Sequence, residues 1–230
     1  MRTDLKGKTA VVTGAAGTMG RAVVSVLKED GLNVIGLDLK GDCLHCDISD
    51  ALAVKKTIER LGPVDILVNN AGILSNNKAE ATSPEEWRKV LAANLDGAFY
   101  LAREVMPGMK QRRWGRIVNT CSLAAKTGGL TAGTAYSVSK GALTSLTFSL
   151  ARELAPFGVT VNGISPAYVK TPMVTEQLTE AQRQALIAQI PVGRFCEPEE
   201  FAHVVRFLVS PLAGFITGEI VDLNGGLVMD

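Results

Sequence analysis

Apolar residues recur along this chain in two rhythms. Short β-prone runs stand at Thr9–Thr13, Asn33–Asp38, Leu44–Ile48, Val64–Val68, Arg116–Thr120, Thr160–Ile164 and Glu219–Leu223. Their length and near-continuous hydrophobicity predict strands buried on both faces. Between them, apolar residues fall three and four apart over Arg21–Asp30, Ala51–Leu61, a stretch opened by Ser83, residues 136–155 and Pro198–Val209. That spacing predicts amphipathic helices. Ser83-Pro84-Glu85-Glu86 marks one helix start, with serine as cap, proline first and an acid three residues after the cap. It turns Trp87, Val90, Leu91 and Leu95 inward. Glu176–Ile190 predicts a mobile helical insert. Strands alternating with helices predict an α/β fold: a doubly wound, parallel, seven-stranded sheet with helices on both faces.

One connection breaks the alternation. Only Leu39 to Cys43 separate the second and third strands. Parallel neighbours normally need a crossover of a dozen or more residues. Five extended residues reach about 17 Å, enough to cross a short strand but too few for a helix. An extended segment is therefore expected in place of the crossover helix.

Composition narrows the class. The chain has 230 residues, 47% of them hydrophobic and 20% charged. That is enough for one domain, 1–230, with a full core. A net charge of +1 implies no polyelectrolyte partner, so no nucleic acid. No secretory signal opens the chain, and no apolar run is long enough to span a membrane. Four cysteines, Cys43, Cys46, Cys121 and Cys196, are too sparse for a disulfide scaffold and suggest the reducing cytoplasm. Cys43, His45 and Cys46 stand close together, but zinc needs about four ligands and no second pair lies at useful spacing. No metal is expected.

The glycines bring in the chemistry. Gly14, Thr18, Met19 and Gly20 belong to a turn between the first strand and the first helix. That context exposes backbone N–H groups and a helix N-terminus to a pyrophosphate, although a tight turn without a ligand would have the same sequence. Asp38 ends the second strand eighteen residues after Gly20. It is placed to accept hydrogen bonds from the adenosine ribose, and its charge would repel a 2′-phosphate. NAD is expected over NADP, although Lys40 could soften the preference. Otherwise Asp38 is a solvated loop carboxylate. Asn69-Asn70-Ala71-Gly72 closes the fourth strand with small residues that let a flat ligand approach. Asn69 could equally tie neighbouring loops together. Asn94 is either a satisfied core amide or part of a site. Tyr136 and Lys140 stand four residues apart, one turn along one helix face. An ammonium one turn away favours the ionised phenol, which makes Tyr136 a candidate base. The pair alone also fits an ordinary exposed helix face.

Taken in order, Thr13-Gly14-x-x-x-Thr18-x-Gly20, Asn69-Asn70-Ala71-Gly72, Asn94, Ser122, Tyr136-x-x-x-Lys140 and Pro166-Ala167 resemble the short-chain dehydrogenase/reductase family over essentially the whole chain. The resemblance implies a single Rossmann domain and a catalytic tetrad of Asn94, Ser122, Tyr136 and Lys140. Tyr136 would be the general base, Ser122 would hydrogen-bond the substrate oxygen, Lys140 would hold the nicotinamide ribose, and Asn94 would position a water. It also implies cofactor contacts at Asp47, Ile48, Asn70, Ala71, Gly72, Pro166, Val169 and Thr171. Two departures stand out: Thr18 where the family has a glycine, and Ala167 where it has another. The expected function is NAD-dependent hydride transfer between nicotinamide and a secondary alcohol or ketone. A second possibility is an NADPH-dependent 3-oxoacyl-carrier-protein reductase, against which Asp38 speaks. A third is a nucleotide-binding protein without catalysis. The resemblance implies a homotetramer, with the 85–110 and 136–155 helices pairing across two-folds. Residues 123–134 and the insert 173–190 are expected to line the substrate pocket, with Tyr168 a possible contact.

Overall fold

A computed structural model describes residues 4–172 and 179–229. Seven parallel strands form one sheet in the order β3-β2-β1-β4-β5-β6-β7. They are β1 Thr9–Thr13, β2 Asn33–Asp38, β3 Leu44–His45, β4 Ile66–Asn69, β5 Gly115–Thr120, β6 Val159–Pro166 and β7 Ile220–Leu223. The helices are α1 Thr18–Glu29, α2 Ala51–Leu61, α3 Pro84–Leu91, α4 Gly97–Arg112, α5 Ala124–Thr127, α6 Thr134–Leu154, α7 Glu180–Ile187 and α8 Pro198–Val209. The central strands carry Val11, Leu67, Ile117 and Val161, all essentially without exposure. Buried on both faces, they can be continuous in hydrophobicity.

One face of the sheet packs on α1 and α8, around Leu27, Phe201 and Val205. The other packs on α2, α4 and α6, around Val54, Leu101, Met109 and Leu154. Strand order reverses at β1 and β4, and the crevice beyond their carboxyl ends is where such sheets bind ligands. A polar ladder crosses the second core. Asn69 Nδ2 donates to Asn119 Oδ1 at 2.9 Å, Asn119 Nδ2 to Thr147 Oγ1 at 2.9 Å, and Thr147 Oγ1 to Leu143 O at 2.8 Å. It locks the register of β4, β5 and α6 directly beneath the crevice.

The connection over Leu39–Cys43 contains no helix, and β3 still pairs with β2 in parallel. Gly41, at φ +74°, lies so close to the glycine turn that a Cβ there would stand 2.9 Å from Ala16 Cβ. Several expected boundaries shift. Helix α1 begins at Thr18, inside the glycine turn, not at Arg21. Strand β3 has two residues, because Asp47 turns the chain by accepting Ser49 N–H at 2.9 Å. Strand β4 starts at Ile66 and β6 continues to Pro166. Of the expected insert, Glu180–Ile187 is helical, whereas residues 173–178 lie outside the described residues. The long helix after Ser83 is interrupted by a π turn over Ala92–Asp96. No helix among the described residues is long and apolar enough to cross a membrane.

Candidate active site

The glycine turn is built by close contacts that exclude side chains. A Cβ on Gly20 would stand 2.1 Å from Gly14 O, so only glycine lets α1 seat against β1. Gly14 sits at φ +64° with its α-carbon facing Ala71, where a Cβ would lie 2.9 Å from Ala71 Cα. Helix α1 has no side-chain cap and no acid in its first turn, so its first N–H groups and its positive dipole end face the crevice. Thr18 and Met19 open this turn and are half-buried.

Thr13 ties the turn to the next loop. Its hydroxyl accepts the N–H groups of Asn70 at 3.0 Å and Ala71 at 2.9 Å. Asn70 returns the tie by donating to Thr13 O at 3.0 Å. This weave fixes the backbone of Asn70, Ala71 and Gly72 over the crevice. Thr13 opens the sequence motif, but its role as an acceptor could be seen only once β1 and β4 were paired.

Asp38 stands at the end of β2 against the same turn. Its Oδ2 accepts Ala16 N–H at 3.0 Å and its Oδ1 accepts Lys40 N–H at 3.1 Å. Both bonds aim the carboxylate beside the first residues of α1. Asp47 is exposed and binds Ser49 through its N–H and hydroxyl, so its side chain serves the chain turn. Ile48 packs on Gly97, where a Cβ would lie 2.8 Å from its Cδ1. At the far end of the crevice, Pro166 O accepts Leu123 N–H at 3.0 Å. Val169 is buried and bridges to Cys196, with Thr171 two residues on. Ala167 adopts an ordinary negative φ, so the backbone accommodates its Cβ without strain.

Of the expected tetrad, Asn94 and Lys140 meet beside Gly72, Tyr136 stands beside Lys140, and Ser122 follows the end of β5. Lys140 is buried, and its ammonium donates to Thr120 O at 2.6 Å. The same nitrogen lies 5.8 Å from the centre of the Tyr136 ring, as expected for neighbours one turn apart. Ser122 follows β5, and its Oγ accepts Ala124 N–H at 3.1 Å, which starts α5. Gly72 brings the cofactor loop against the group: a Cβ there would lie 3.1 Å from Asn94 Oδ1 and 3.5 Å from Lys140 Nζ. Asn94 is nearly inaccessible and sits in the π turn. Its Oδ1 accepts Ile73 N–H at 2.8 Å, and its Nδ2 donates to Ile73 O and to Ser139 Oγ, each at 3.0 Å.

Segment 75–78 places Tyr136. Gly133 N–H donates to Ser75 O at 2.7 Å, and Thr134 N–H to Asn77 O at 3.0 Å. Lys78 Nζ reaches Gly129 O at 2.8 Å and Ala132 O at 2.7 Å. Ser75 and Asn77 also hold the Glu86 carboxyl below its ordinary range. Sequence patterning gave no sign of this bracket, because its bonds run mainly to backbone atoms. Beside Ser122, burial pushes the Cys121 thiol up, which keeps it neutral. Tyr168 approaches Thr131 Oγ1 at 3.4 Å across the expected substrate side. Among the described residues no three His, Cys, Asp or Glu side chains cluster as metal ligands, and all four cysteines are free.

The crevice suits a nicotinamide dinucleotide on its own geometry. It offers an uncapped helix start for a pyrophosphate, a carboxylate beside it for a ribose, and a glycine-lined floor beside a lysine and a tyrosine. Comparison with known proteins agrees with this. The family profile described as enoyl-(acyl carrier protein) reductase matches residues 14–228. The 3-oxoacyl-[acyl-carrier-protein] reductase of Vibrio cholerae is 40% identical, over 98% of this chain and 99% of its own. The solved 3-oxoacyl-[acyl-carrier protein] reductase of Brucella melitensis superposes with a TM-score of 0.94 at 33% identity, covering 100% of this chain and 94% of its own. A Beutenbergia cavernae protein assigned as an NAD(P) dependent gluconate 5-dehydrogenase, solved with bound NADP, superposes with a TM-score of 0.92 at 33% identity over 99% of both chains.

Proposed function

The chain belongs to the short-chain dehydrogenase/reductase family, and from that premise we propose that it reduces a 3-oxoacyl group held as a thioester on an acyl carrier. It is an NAD(P)-dependent oxidoreductase acting on CH–OH or C=O groups. The relatives favour the carrier-protein reductase over the general alcohol dehydrogenase that sequence analysis placed first. Asp38 weighed against that choice there, but Asp38 bears on the cofactor and not on the substrate. The observation that carries the proposal is Lys140, bound to Thr120 O at the end of β5 two residues before Ser122 and lying beside the Tyr136 ring, in a chain aligned end to end with such reductases.

A bound reduced nicotinamide supplies the hydride. The chain's own residues manage the substrate oxygen and its proton. Ser122 Oγ is placed to donate a hydrogen bond to the carbonyl, polarising it as charge develops. The Tyr136 hydroxyl then gives its proton to that oxygen; in the reverse direction the tyrosine oxygen takes it back. The cation of Lys140 steadies the phenol oxygen, and its buried ammonium is held in place by Thr120 O at 2.6 Å. Gly14, Gly20, Asn70, Ala71 and Gly72 would hold the dinucleotide backbone, with Thr18 and Met19 at the helix start. Pro166, Val169 and Thr171 would flank the nicotinamide end.

NADH is the proposed form. NADP in the Beutenbergia neighbour supports the phosphorylated cofactor. In this chain, however, Ala16 and Lys40 hold the Asp38 carboxylate beside the start of α1, and its charge would repel a 2′-phosphate. A homotetramer is also proposed: α4 exposes Phe99 and α6 exposes Phe148, apolar faces suited to pairing between copies. The cytoplasm is the proposed compartment, supported by four free cysteines. The test is reduction of an acetoacetyl thioester, followed by loss of reduced-nicotinamide absorbance, with NADH and NADPH in parallel and sugars and simple ketones as competitors. Turnover of the thioester above the others is expected. Turnover of only sugars or simple alcohols would displace the acyl substrate and leave the oxidoreductase assignment standing.

A further inference from the structure

Ser139 lies between the two residues of the Tyr136–Lys140 pair and has no exposed surface. A helical serine usually turns its hydroxyl back on a carbonyl of the preceding turn, and this one donates to Tyr136 O at 2.7 Å. That bond commits its single proton. Its lone pairs are left facing Asn94, whose Nδ2 donates to Ser139 Oγ at 3.0 Å. The second Nδ2 hydrogen goes to Ile73 O, and Oδ1 accepts Ile73 N–H at 2.8 Å. The Asn94 amide therefore has both its hydrogens committed within the protein, and its oxygen holds Ile73 N–H. It ties together the cofactor loop after Gly72, the π turn and the helix that carries Tyr136 and Lys140.

With both its side-chain hydrogens committed, Asn94 acts on the site through the position of its turn. A π turn displaces the regular hydrogen-bond ladder and so loosens backbone groups of the segment that contains it. Their direction depends on how firmly the side chain anchors the turn. Ile73 anchors one side, and Ser139 is the anchor on the catalytic helix. We infer that Ser139 is a positioning residue: its hydroxyl sets the Asn94 turn in register with Tyr136 and Lys140. This inference rests on the hydride-transfer function proposed above.

Ser139→Ala removes the acceptor and strands one buried N–H. A displacement of about an ångström at supporting residues can cost about a hundredfold in rate. The expected loss in kcat is therefore about ten- to a hundredfold, with the cofactor Kd within about twofold. Ser139→Thr, which keeps the hydroxyl, should recover most of the rate; should its extra methyl prevent folding, Ser139→Cys should give an intermediate rate. In an Asn94→Ala background, Ser139→Ala should add less than about threefold, because residues acting through one bond are not additive. Hydrogen exchange over residues 92–96 should accelerate in Ser139→Ala while the ladder at Asn119 stays protected, a readout that needs no turnover. Unchanged kcat in Ser139→Ala, multiplicative effects with Asn94→Ala, or unchanged exchange over 92–96 would overturn the inference. A wild type inactive on every carbonyl would instead defeat the proposed function, and exchange would still decide the coupling.

Discussion

Replacing Asp38 by serine should invert the chain's choice between the two nicotinamide cofactors. The carboxylate accepts Ala16 N–H at 3.0 Å and Lys40 N–H at 3.1 Å, and it keeps further lone pairs that could accept the adenosine ribose hydroxyls. A hydrogen bond to a charged group is worth about 1.5–3 kcal/mol, so losing the ribose contact should weaken NADH by about one to two orders of magnitude. The same substitution removes a repulsion. Unit charges about 4 Å apart cost about 4 kcal/mol at the effective dielectric of a protein surface. Asp38 is half-exposed, so water and salt reduce this to about 1–2 kcal/mol. Together the two effects should move the NADPH-to-NADH ratio by about a hundredfold to several thousandfold, as the serine gains phosphate tolerance. Asp38→Asn separates them, because it keeps the size and one acceptor while removing the charge. Titration of both cofactors by fluorescence, at low and high salt, gives the four constants needed. A melting scan of each variant controls for the lost Ala16 and Lys40 bonds. A wild type that prefers NADPH, or a ratio that moves less than tenfold in Asp38→Ser, would refute the role assigned to this carboxylate.

Three other outcomes follow from the packing. Gly20→Ala, whose Cβ would stand 2.1 Å from Gly14 O, should cost at least about 1–3 kcal/mol by overpacking, visible as a lower Tm together with weaker cofactor binding. Amides of Leu44 and His45 on the uncovered edge should exchange faster than those of Ile117 and Val118, and equal protection would count against an open edge. Glu200, gripped by both Arg194 nitrogens and by Glu197 N–H, has its carboxyl held down to about 2 from an ordinary 4.5, chiefly by Arg194. Because the folded value is depressed, the pair stabilises the protein fully above about 4.5 and loses that contribution as pH falls towards about 2. The pair is exposed, so Glu200→Gln should narrow the gap in urea midpoint between neutral and acid pH by well under about 1 kcal/mol in equivalent stability.

Much of this organisation was legible in the chain. Seven apolar runs found seven strands because strands buried on both faces carry an unbroken signal, and β1 and β2 matched residue for residue. The missing crossover helix followed from chain length alone, since Leu39–Cys43 cannot hold one. Boundaries failed where side-chain chemistry prevailed over periodicity. Asp47 cut β3 short by capping the next turn, and α1 began within the glycines because Gly17 in extended backbone can start a helix. The tetrad residues were nameable from the family resemblance, but what holds them was not. The π turn depends on Asn94 reaching Ile73, twenty-one positions earlier. The seat of α6 depends on Lys78 and Ser75, whose partners are backbone oxygens and N–H groups with no sequence signature. Asn119 and Thr147 became a ladder only when β5 and α6 met.

The central claim is that Tyr136 moves the proton that accompanies hydride transfer. Tyr136→Phe keeps the ring beside Lys140 and deletes only the oxygen, so the fold and the cofactor crevice should survive. The direct measurement is kcat for acetoacetyl-thioester reduction by this variant, with the cofactor Kd measured on the same preparation. General acid–base catalysis contributes about 10²–10⁴-fold, so kcat should fall by at least that range while the cofactor Kd stays within about twofold of wild type. A Tyr136→Phe protein that binds cofactor and turns over at a near-wild-type rate would contradict the account.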